Sequence, residues 1–141
     1  MTYEDLPYEW DKLPLTDPQF ATDVVDLLLA DRDRRRDSML LLFCHDDDTL
    51  IQPVVIDGIR WRCSAAARRR TFEFLDHFSD IGVVIAISSS TPIPDNVARL
   101  WLAEAERMAD VGGPNLLHFL TALPDAEPVM FRPAPPRAIA S

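Results

Sequence analysis

Two short clusters of reactive side chains stand out in the sequence, and the first of them is Cys44–Asp48. It places a thiol, an imidazole and three carboxylates in consecutive positions, and such groups bind transition metals or carry acid–base and nucleophilic catalysis. Because neighbouring residues of a strand point to opposite faces, however, Cys44 and His45 would not converge on one ion. The other histidines, His77 and His118, stand singly on other predicted elements. We therefore interpret the cluster as the solvated tip of a β-hairpin, with Cys44 as a small buried apolar side chain.

The second cluster is a run of four hydroxyl side chains, which follows the most hydrophobic segment of the chain and precedes a helix start. Its members are Ser88, Ser89, Ser90 and Thr91. Ligands of α/β sheets collect where strands end, and the free amides of a helix that begins at Asp95 could attract an anion. The run contains no glycine or lysine, so it is not a phosphate-binding P-loop, and no histidine lies nearby in the sequence to activate a serine. The run is therefore a possible ligand loop, or else a plain polar connection, which the residue types favour.

Apolar periodicity and capping residues predict the elements that position these side chains. Helices are predicted from Thr16 or Asp17 to about Asp33, over residues 64–79 and over residues 95–110. Strands are predicted over residues 39–44, 50–56, 82–87, 116–123 and 129–131. The first two strands form an antiparallel hairpin, and Pro53 assigns part of the second to an edge or a bulge, since proline cannot donate to a ladder. The strand 82–87 does not alternate, so we expect it to be covered on both faces.

Each predicted helix has an apolar face that should pack on the sheet. In the first helix Asp23 and Asp26 are expected to face water, and the apolar stripe consists of Phe20, Val24, Leu27 and Leu28. In the second, which Ser64 caps, the inward side chains are Phe72, Leu75 and Phe78. In the third they are Val97, Leu100, Trp101, Ala105 and Met108.

This order of elements predicts the domain organisation and the fold class. Residues 1–15 form an N-terminal arm, residues 16–132 a single α/β domain, and residues 133–141, which contain three prolines, a loose tail. Tyr3, Tyr8 and Trp10 of the arm either dock on the core of the domain or contact a partner, and docking is the favoured interpretation. Strands that alternate with helices imply crossover connections, and hence a layered mixed sheet with an antiparallel hairpin at one side.

Length and composition are typical of a single domain whose hydrophobic core is large enough to be stable without disulfides or a structural metal. The 141 residues are 48% hydrophobic and 26% charged, which suits a single hydrophobic core. We expect no membrane span, because the apolar runs are shorter than about 18 residues, and no signal peptide, because the first ten residues lack a basic flank. The two cysteines, Cys44 and Cys63, are too few for a disulfide scaffold. We therefore expect a cytoplasmic protein.

The charge distribution argues against nucleic acid as a partner. The formal net charge is −9, which repels polyanions, although nine of the thirteen arginines lie between Arg32 and Arg70. The arginines at positions 32, 34, 35 and 36 are interpreted as solvating the end of a helix. The three consecutive arginines at 68–70 would fan around a helix and not form one patch. Weak nucleic-acid contact through these arginines stays open as an alternative.

The order of elements and the segment Gly82–Asn96 (GVVIAISSSTPIPDN) resemble the RadC-like branch of the JAB/MPN metalloprotease-like domains. That family places a hydrophobic strand before a His-x-His-Pro loop, and then a helix start of the type Pro-Ser-Pro-Glu-Asp. The sequence Pro-Ile-Pro-Asp-Asn at 92–96 is similar to this helix start, and the resemblance covers roughly residues 16–123. It implies a three-layer-like mixed sheet with flanking helices, as in JAB/MPN and cytidine-deaminase-like folds.

The same resemblance implies that the zinc site of the family is degenerate in this chain. The two zinc histidines would fall near Ser88 and Ser90, the ligand aspartate near Asn96, and the general-base glutamate near Asp37. Hydroxyl and amide groups are poor zinc ligands, and without a metal no water is acidified. The resemblance therefore predicts a pseudoenzyme without metal or cofactor that acts through a protein partner or as a homo-oligomer.

An enzymatic alternative uses the hydroxyl run at 88–91. A hydrolase or transferase with a ligand pocket there would need the fold to bring Asp37 or His45 to the run. The group would have to lie within about 3 Å of a serine oxygen, or within one water molecule of it. A protein that only binds a small ligand through the run is the other form of this alternative.

Overall fold

A computed structural model describes Leu6 and residues 8–131 of the chain. In this part of the chain five strands form one sheet: β1 (Met39–Cys44), β2 (Leu50–Ile56), β3 (Gly82–Ser88), β4 (Asn115–Ala122) and β5 (Val129–Met130). The α-helices are α1 (Pro18–Leu28), α2 (Asp31–Arg34), α3 (Ala65–Phe72) and α4 (Asp95–Asp110). Short 3-10 helices cover Trp10–Lys12 and Glu73–His77. The predicted ranges of β1, β2 and α4 are confirmed.

The sheet is mixed, with the strand order β2-β1-β3-β4-β5. β1 runs antiparallel to both β2 and β3, β3 and β4 are parallel, and β5 is antiparallel to β4. The parallel pair needs a crossover, and α4 supplies it. The predicted layered mixed sheet with a hairpin at one side is confirmed, and so is the position of β2 at an edge. Pro53 faces Leu42 there and offers no N–H to a further strand.

Aspartate side chains shape the turn of the β1–β2 hairpin. The His45 N–H donates to the Thr49 carbonyl (2.8 Å) and the Asp48 N–H to the His45 carbonyl (2.9 Å). Asp48 has a φ of 67°, a left-handed conformation that aspartate tolerates better than most residues. The Thr49 hydroxyl, 2.6 Å from the Asp47 carboxylate, and the Thr49 N–H both donate to it, and they hold the pKa of that carboxyl below its usual value. The cluster therefore forms the predicted hairpin tip.

Hydrophobic clusters cover both faces of the sheet. On one face α3 and α4 bury side chains that include Phe72, Leu75, Trp101 and Met108. On the other face α1 and the segment after it bury Val24, Val25 and Leu29. The residues of β1 and β3 contribute alternately to the two clusters and are buried along their whole length, as expected for strands that are covered on both sides.

The first predicted helix is divided in two, so the expected end near Asp33 is wrong. Asp17 caps α1 as predicted, since its carboxylate accepts the Phe20 N–H at 2.8 Å. The helix ends at Leu28, because Leu29 (φ −104°, ψ 91°) and Ala30 (φ −66°, ψ 153°) are both extended, and the short α2 follows. Ser64 caps α3 as predicted through the Ala67 N–H (3.1 Å), but α3 continues only as a 3-10 helix after Phe72.

Several predicted helix faces are rotated relative to the core. Asp23 is buried, with the Gln19 amide 2.9 Å from its carboxylate, although it was expected to face water. Leu27 (36%) and Leu100 (47%) are exposed although they were expected to point inward. Leu29, which follows α1, and Ala98 of α4 are buried instead. The inward side of each helix is set by its contacts with the sheet, which periodicity alone places only to within about one residue.

Arg34 is the largest departure from the predicted solvated run of arginines. It is buried, and its guanidinium donates to the carbonyls of Leu29 (2.8 Å), Leu123 (3.0 Å) and Ala126 (2.7 Å). It also contacts the Asp26 carboxylate at 3.0 Å. Arg34 therefore ties α1 and α2 to the turn between β4 and β5.

The N-terminal arm is attached to the domain by backbone and side-chain contacts. Pro14 forms a bridge with Thr49, and Trp10 packs against the cluster under α1. Tyr8 is 98% exposed, so the predicted docking of the arm on the core is correct for Trp10 and wrong for Tyr8. Tyr3 and the predicted loose tail at 133–141 lie outside the described residues. No helix in the described part of the chain is long and apolar enough to cross a lipid bilayer.

Candidate functional site

One end of the sheet brings the hydroxyl run close to Asp37, while the Cys44–Asp48 cluster lies at the other end. Because β1 runs against its neighbours, its amino end lies beside the carboxyl ends of β2 and β3, as the pairs Met39–Ile56 and Met39–Ile87 show. We call this end of the strands, defined by Met39, Ile56 and Ser88, the carboxyl edge, to be distinguished from the outer strand β2. It is the edge at which ligands of open α/β sheets bind.

Ser88 is fully buried at this edge and uses its polar atoms to hold the fold together. Its N–H (2.9 Å) and its hydroxyl (2.8 Å) both donate to the Ser38 carbonyl, and its own carbonyl accepts the indole N–H of Trp61 at 3.0 Å. The Trp61 carbonyl in turn accepts the indole N–H of Trp101 at 2.9 Å. The Ser88 hydroxyl therefore belongs to a hydrogen-bond chain that links β1, β3, the segment before α3, and α4.

The other residues of the hydroxyl run differ from Ser88 in exposure. Ser89 is buried, and its hydroxyl accepts a long bond (3.5 Å) from the Thr91 N–H. Ser90 and Thr91 are exposed, and so is Asn96 in the first turn of α4. At the three positions that the JAB/MPN resemblance assigns to zinc ligands, the Ser88 hydroxyl is therefore used in a hydrogen bond within the fold, and the side chains of Ser90 and Asn96 are exposed to solvent.

Asp37 lies next to Ser38, at the start of β1. It has a φ of 53°, and its carbonyl accepts the Ile59 N–H at 2.9 Å. Among the residues that the structure describes, its carboxylate has no hydrogen-bond or ion-pair partner. Asp37 is thus close in the chain to the residue that Ser88 contacts, but no bond joins its carboxylate to a serine hydroxyl.

The Cys44–Asp48 cluster lies at the opposite end of β1. Ser38 and His45 are seven positions apart along an extended segment, which corresponds to about 23 Å. His45 therefore cannot activate the hydroxyl run, and this version of the enzymatic alternative is wrong. Burial raises the pKa of the Cys44 thiol to about 12, and the charges of Asp48 and Asp47 act in the same direction. Cys44 is buried, as the sequence predicted.

The described residues contain no group of three or more His, Cys, Asp or Glu side chains that could hold a metal ion. His118 is used structurally, since its Nε2 lies 2.9 Å from the Leu15 carbonyl. A cavity of about 500 Å³ is lined by Asp26, Ala126 and Arg34, and the guanidinium donors of Arg34 are already taken up by the fold.

A cleft beside the hydroxyl run contains two residues that the sequence reasoning missed. It has a volume of about 340 Å³ and lies between Arg60, Arg62, Ser89 and Val97. The signal was the sequence Arg-Trp-Arg at 60–62, in which a buried tryptophan turns the arginines on either side of it outward. The cleft can accept a small anion, because both arginines are exposed and lack partners among the described residues.

Comparisons of the chain with protein-family models, with curated proteins and with solved structures find no match. No relative therefore assigns the chain to a family. The similarity to JAB/MPN domains stays a prediction that depends on the segment 82–96 and on the order of elements.

Proposed function

We propose that this chain is a non-catalytic, metal-free domain of JAB-like fold that acts through contact with other proteins. The single observation that carries the proposal is the state of Ser88. A zinc ligand needs a lone pair aimed at the metal, whereas the Ser88 hydroxyl is buried and donates to the Ser38 carbonyl. Ser90 and Asn96 supply only a neutral hydroxyl and a neutral amide, which are weak partners for zinc.

The proposed fold is supported by the architecture of the sheet. The sheet is mixed and has helices on both faces, and the Pro-Ile-Pro-Asp-Asn sequence leads directly into α4. The hydrophobic strand β3 stands before the hydroxyl run, in the order that the resemblance requires. We also place the domain in the cytoplasm, because Cys44 and Cys63 are free thiols, as is usual in a reducing compartment.

Contact with another protein is supported by an apolar surface beside β2. Ile51, Phe74 and Phe78 are each more than one-third exposed and surround a cavity of about 320 Å³, whose floor includes Phe43 and Val54. The Phe43 and Phe78 rings lie 5.3 Å apart, so the aromatic side chains hold each other in place. Clustered apolar side chains on a surface mark sites where other proteins bind.

The arginines proposed for nucleic-acid contact are largely occupied by neighbouring groups. Arg34 is buried, Arg35 lies 3.2 Å from Asp125, and Arg36 lies 3.9 Å from Asp57. Local pairing cancels the positive field that a polyanion would need. We therefore prefer protein contact to nucleic-acid contact.

Metal analysis tests the metal-free part of the proposal. Protein purified without chelator should carry less than about one-tenth of an equivalent of zinc after dialysis, because no three strong ligands converge at positions 88, 90 and 96. The control is a Ser90→Ala/Asn96→Ala variant, which should show the same metal content. Stoichiometric zinc that disappears in this variant would show that the site is a working metal centre and would refute the proposal.

Sedimentation velocity tests the contact surface, first with the chain as its own partner. We expect association that rises with protein concentration and is lost in an Ile51→Ser/Phe74→Ser variant. The matched control is Leu100→Ser/Val111→Ser, which removes exposed apolar side chains outside the surface and should leave association unchanged. A chain that stays monomeric excludes a homo-oligomer through this surface and leaves a different protein as the partner.

A further inference from the structure

The cleft beside the hydroxyl run is lined on one side by a segment that a tryptophan fixes in place. Trp61 is buried, donates its indole N–H to the Ser88 carbonyl (3.0 Å) and accepts the indole N–H of Trp101 (2.9 Å). Its ring packs edge-on against the Trp101 ring, with centroids 5.1 Å apart. Because both ends of Trp61 are held, the backbone positions of Arg60 and Arg62 beside it are held as well.

The charge of these arginines is not used within the described fold. Of the described arginines, six lie within 4.0 Å of a carboxylate, and Arg68 donates to the Cys63 carbonyl at 2.8 Å. The described arginines without such a partner are Arg60, Arg62, Arg70 and Arg99. Two of these four flank one cleft, in a chain whose net charge is −9. Two arginines that line the same cleft can together bind an oxyanion through their guanidinium groups.

The opposite wall adds a hydroxyl and an apolar surface. Ser89 is buried and lines the cleft, and in the described part of the chain no acceptor takes its hydroxyl hydrogen. Pro92, Ile93 and Val97 form an apolar patch next to it. The volume of about 340 Å³ lies at the lower end of the range of about 300–1,000 Å³ that is usual for small-molecule sites.

From these features we infer that the cleft binds a small organic oxyanion, a carboxylate or a phosphomonoester, that carries an apolar group. The guanidinium groups of Arg60 and Arg62 bind the charged oxygens, and the Ser89 hydroxyl donates to one of them. The apolar group of the ligand packs on Ile93 and Val97. The inference is independent of the proposed protein contact, since the cleft and the apolar surface beside β2 share no residue.

Titration calorimetry with phenyl phosphate and with benzoate tests the inference and distinguishes the two kinds of oxyanion. We expect at least one probe to bind with a dissociation constant below about 1 mM at low salt, and inorganic phosphate to bind at least tenfold more weakly. An Arg60→Gln/Arg62→Gln variant should lose at least tenfold in affinity, and Ser89→Ala about threefold. The matched control is Arg70→Gln/Arg99→Gln, which removes the same charge from exposed, unpaired arginines and should bind as the wild type does.

A chemical-shift map of the wild-type protein keeps the test independent of the variants. On addition of the binding probe, the amide signals of Ser89, Thr91 and Val97 should move most. The inference is overturned if the wild type binds neither probe at about 10 mM, or if the two double variants lose affinity equally. It is also overturned if the largest shifts fall outside the cleft.

Discussion

Arg34 allows a quantitative test of how the turn between β4 and β5 is held. The guanidinium is 2% exposed and donates to the carbonyls of Leu29, Leu123 and Ala126 and to the Asp26 carboxylate. An Arg34→Ala substitution removes all of these donors together. The carbonyls then lose their partners, and the Asp26 carboxylate, only 17% exposed, keeps its charge without its nearest cation.

The expected cost follows from the burial of the groups left behind. Removal of one member of a buried ion pair costs about 3–5 kcal/mol, because the remaining charge is left uncompensated. We therefore expect Arg34→Ala to lower the free energy of unfolding by about 3–5 kcal/mol. Arg34→Lys should recover only part of this loss, because an ammonium group cannot reach the three carbonyls and the carboxylate as the planar guanidinium does.

Arg35 provides the matched control, since it is the next residue and also contacts an aspartate. Its side chain is 53% exposed and lies 3.2 Å from the Asp125 carboxylate. A solvent-exposed pair of this kind contributes less than about 1 kcal/mol, so Arg35→Ala should be nearly neutral. Urea unfolding followed by circular dichroism gives both values, provided that the slopes agree. A loss below about 1 kcal/mol for Arg34→Ala, or an equal loss for both variants, would refute the reasoning.

Three further predictions concern the site and its surroundings. Ser88→His should lower stability by about 1–3 kcal/mol or more without creating zinc affinity, because position 88 is fully buried; a stable, zinc-binding variant in melting and zinc titration would contradict this. Alkylation at pH 8 should label Cys63 and spare Cys44, whose pKa is raised to about 12, and equal labelling rates would contradict the burial argument. The Cys44 thiol ionises at a lower pH in the unfolded chain (pKa 9.0) than in the folded protein (pKa about 12). The stability that this thiol contributes is therefore complete below pH 9.0 and declines as the pH rises toward about 12. Gly113→Ala should lower the melting temperature, because its Cβ would lie 2.6 Å from the Met108 sulfur and 2.8 Å from the Met108 carbonyl oxygen; an unchanged melting temperature would contradict this.

The elements that the sequence predicted accurately are those with local signals. β1 is one continuous apolar run between polar segments, and α4 is stopped by a Gly-Gly-Pro sequence, so their ends depend on nearby residues. The break at Ala30 has no such signal. Beside the break, Arg34 contacts Leu123 and Ala126, about ninety residues further along the chain. Periodicity within one helix contains no information about such partners.

The candidate site shows the same division between local and distant information. The sequence placed Ser88 at the end of a strand, which is correct, but its bond to the Ser38 carbonyl depends on the register of β1 against β3. That register also carries His45 to the far end of the sheet and so removes it from the site. The cleft is not predictable from the sequence, because the bonds that Trp61 forms with Ser88 and Trp101 join residues 27 and 40 positions away, and the arginines beside it contribute only to the charge count.

The buried chain from Ser38 to Trp101 explains how a site without strong metal ligands can be stable. Buried backbone carbonyls at the end of a strand need hydrogen-bond donors. In a metal-binding domain the metal and its ligands hold such a region in place. Here the Ser88 hydroxyl and the two indole N–H groups supply the donors, and no buried side-chain polar atom of the described residues lacks a partner. The carbonyls of Ser38, Trp61 and Ser88 are therefore each paired inside the fold. Any selectivity for a ligand must then come from side chains that take no part in these hydrogen bonds, namely those of Arg60, Arg62 and Ser89.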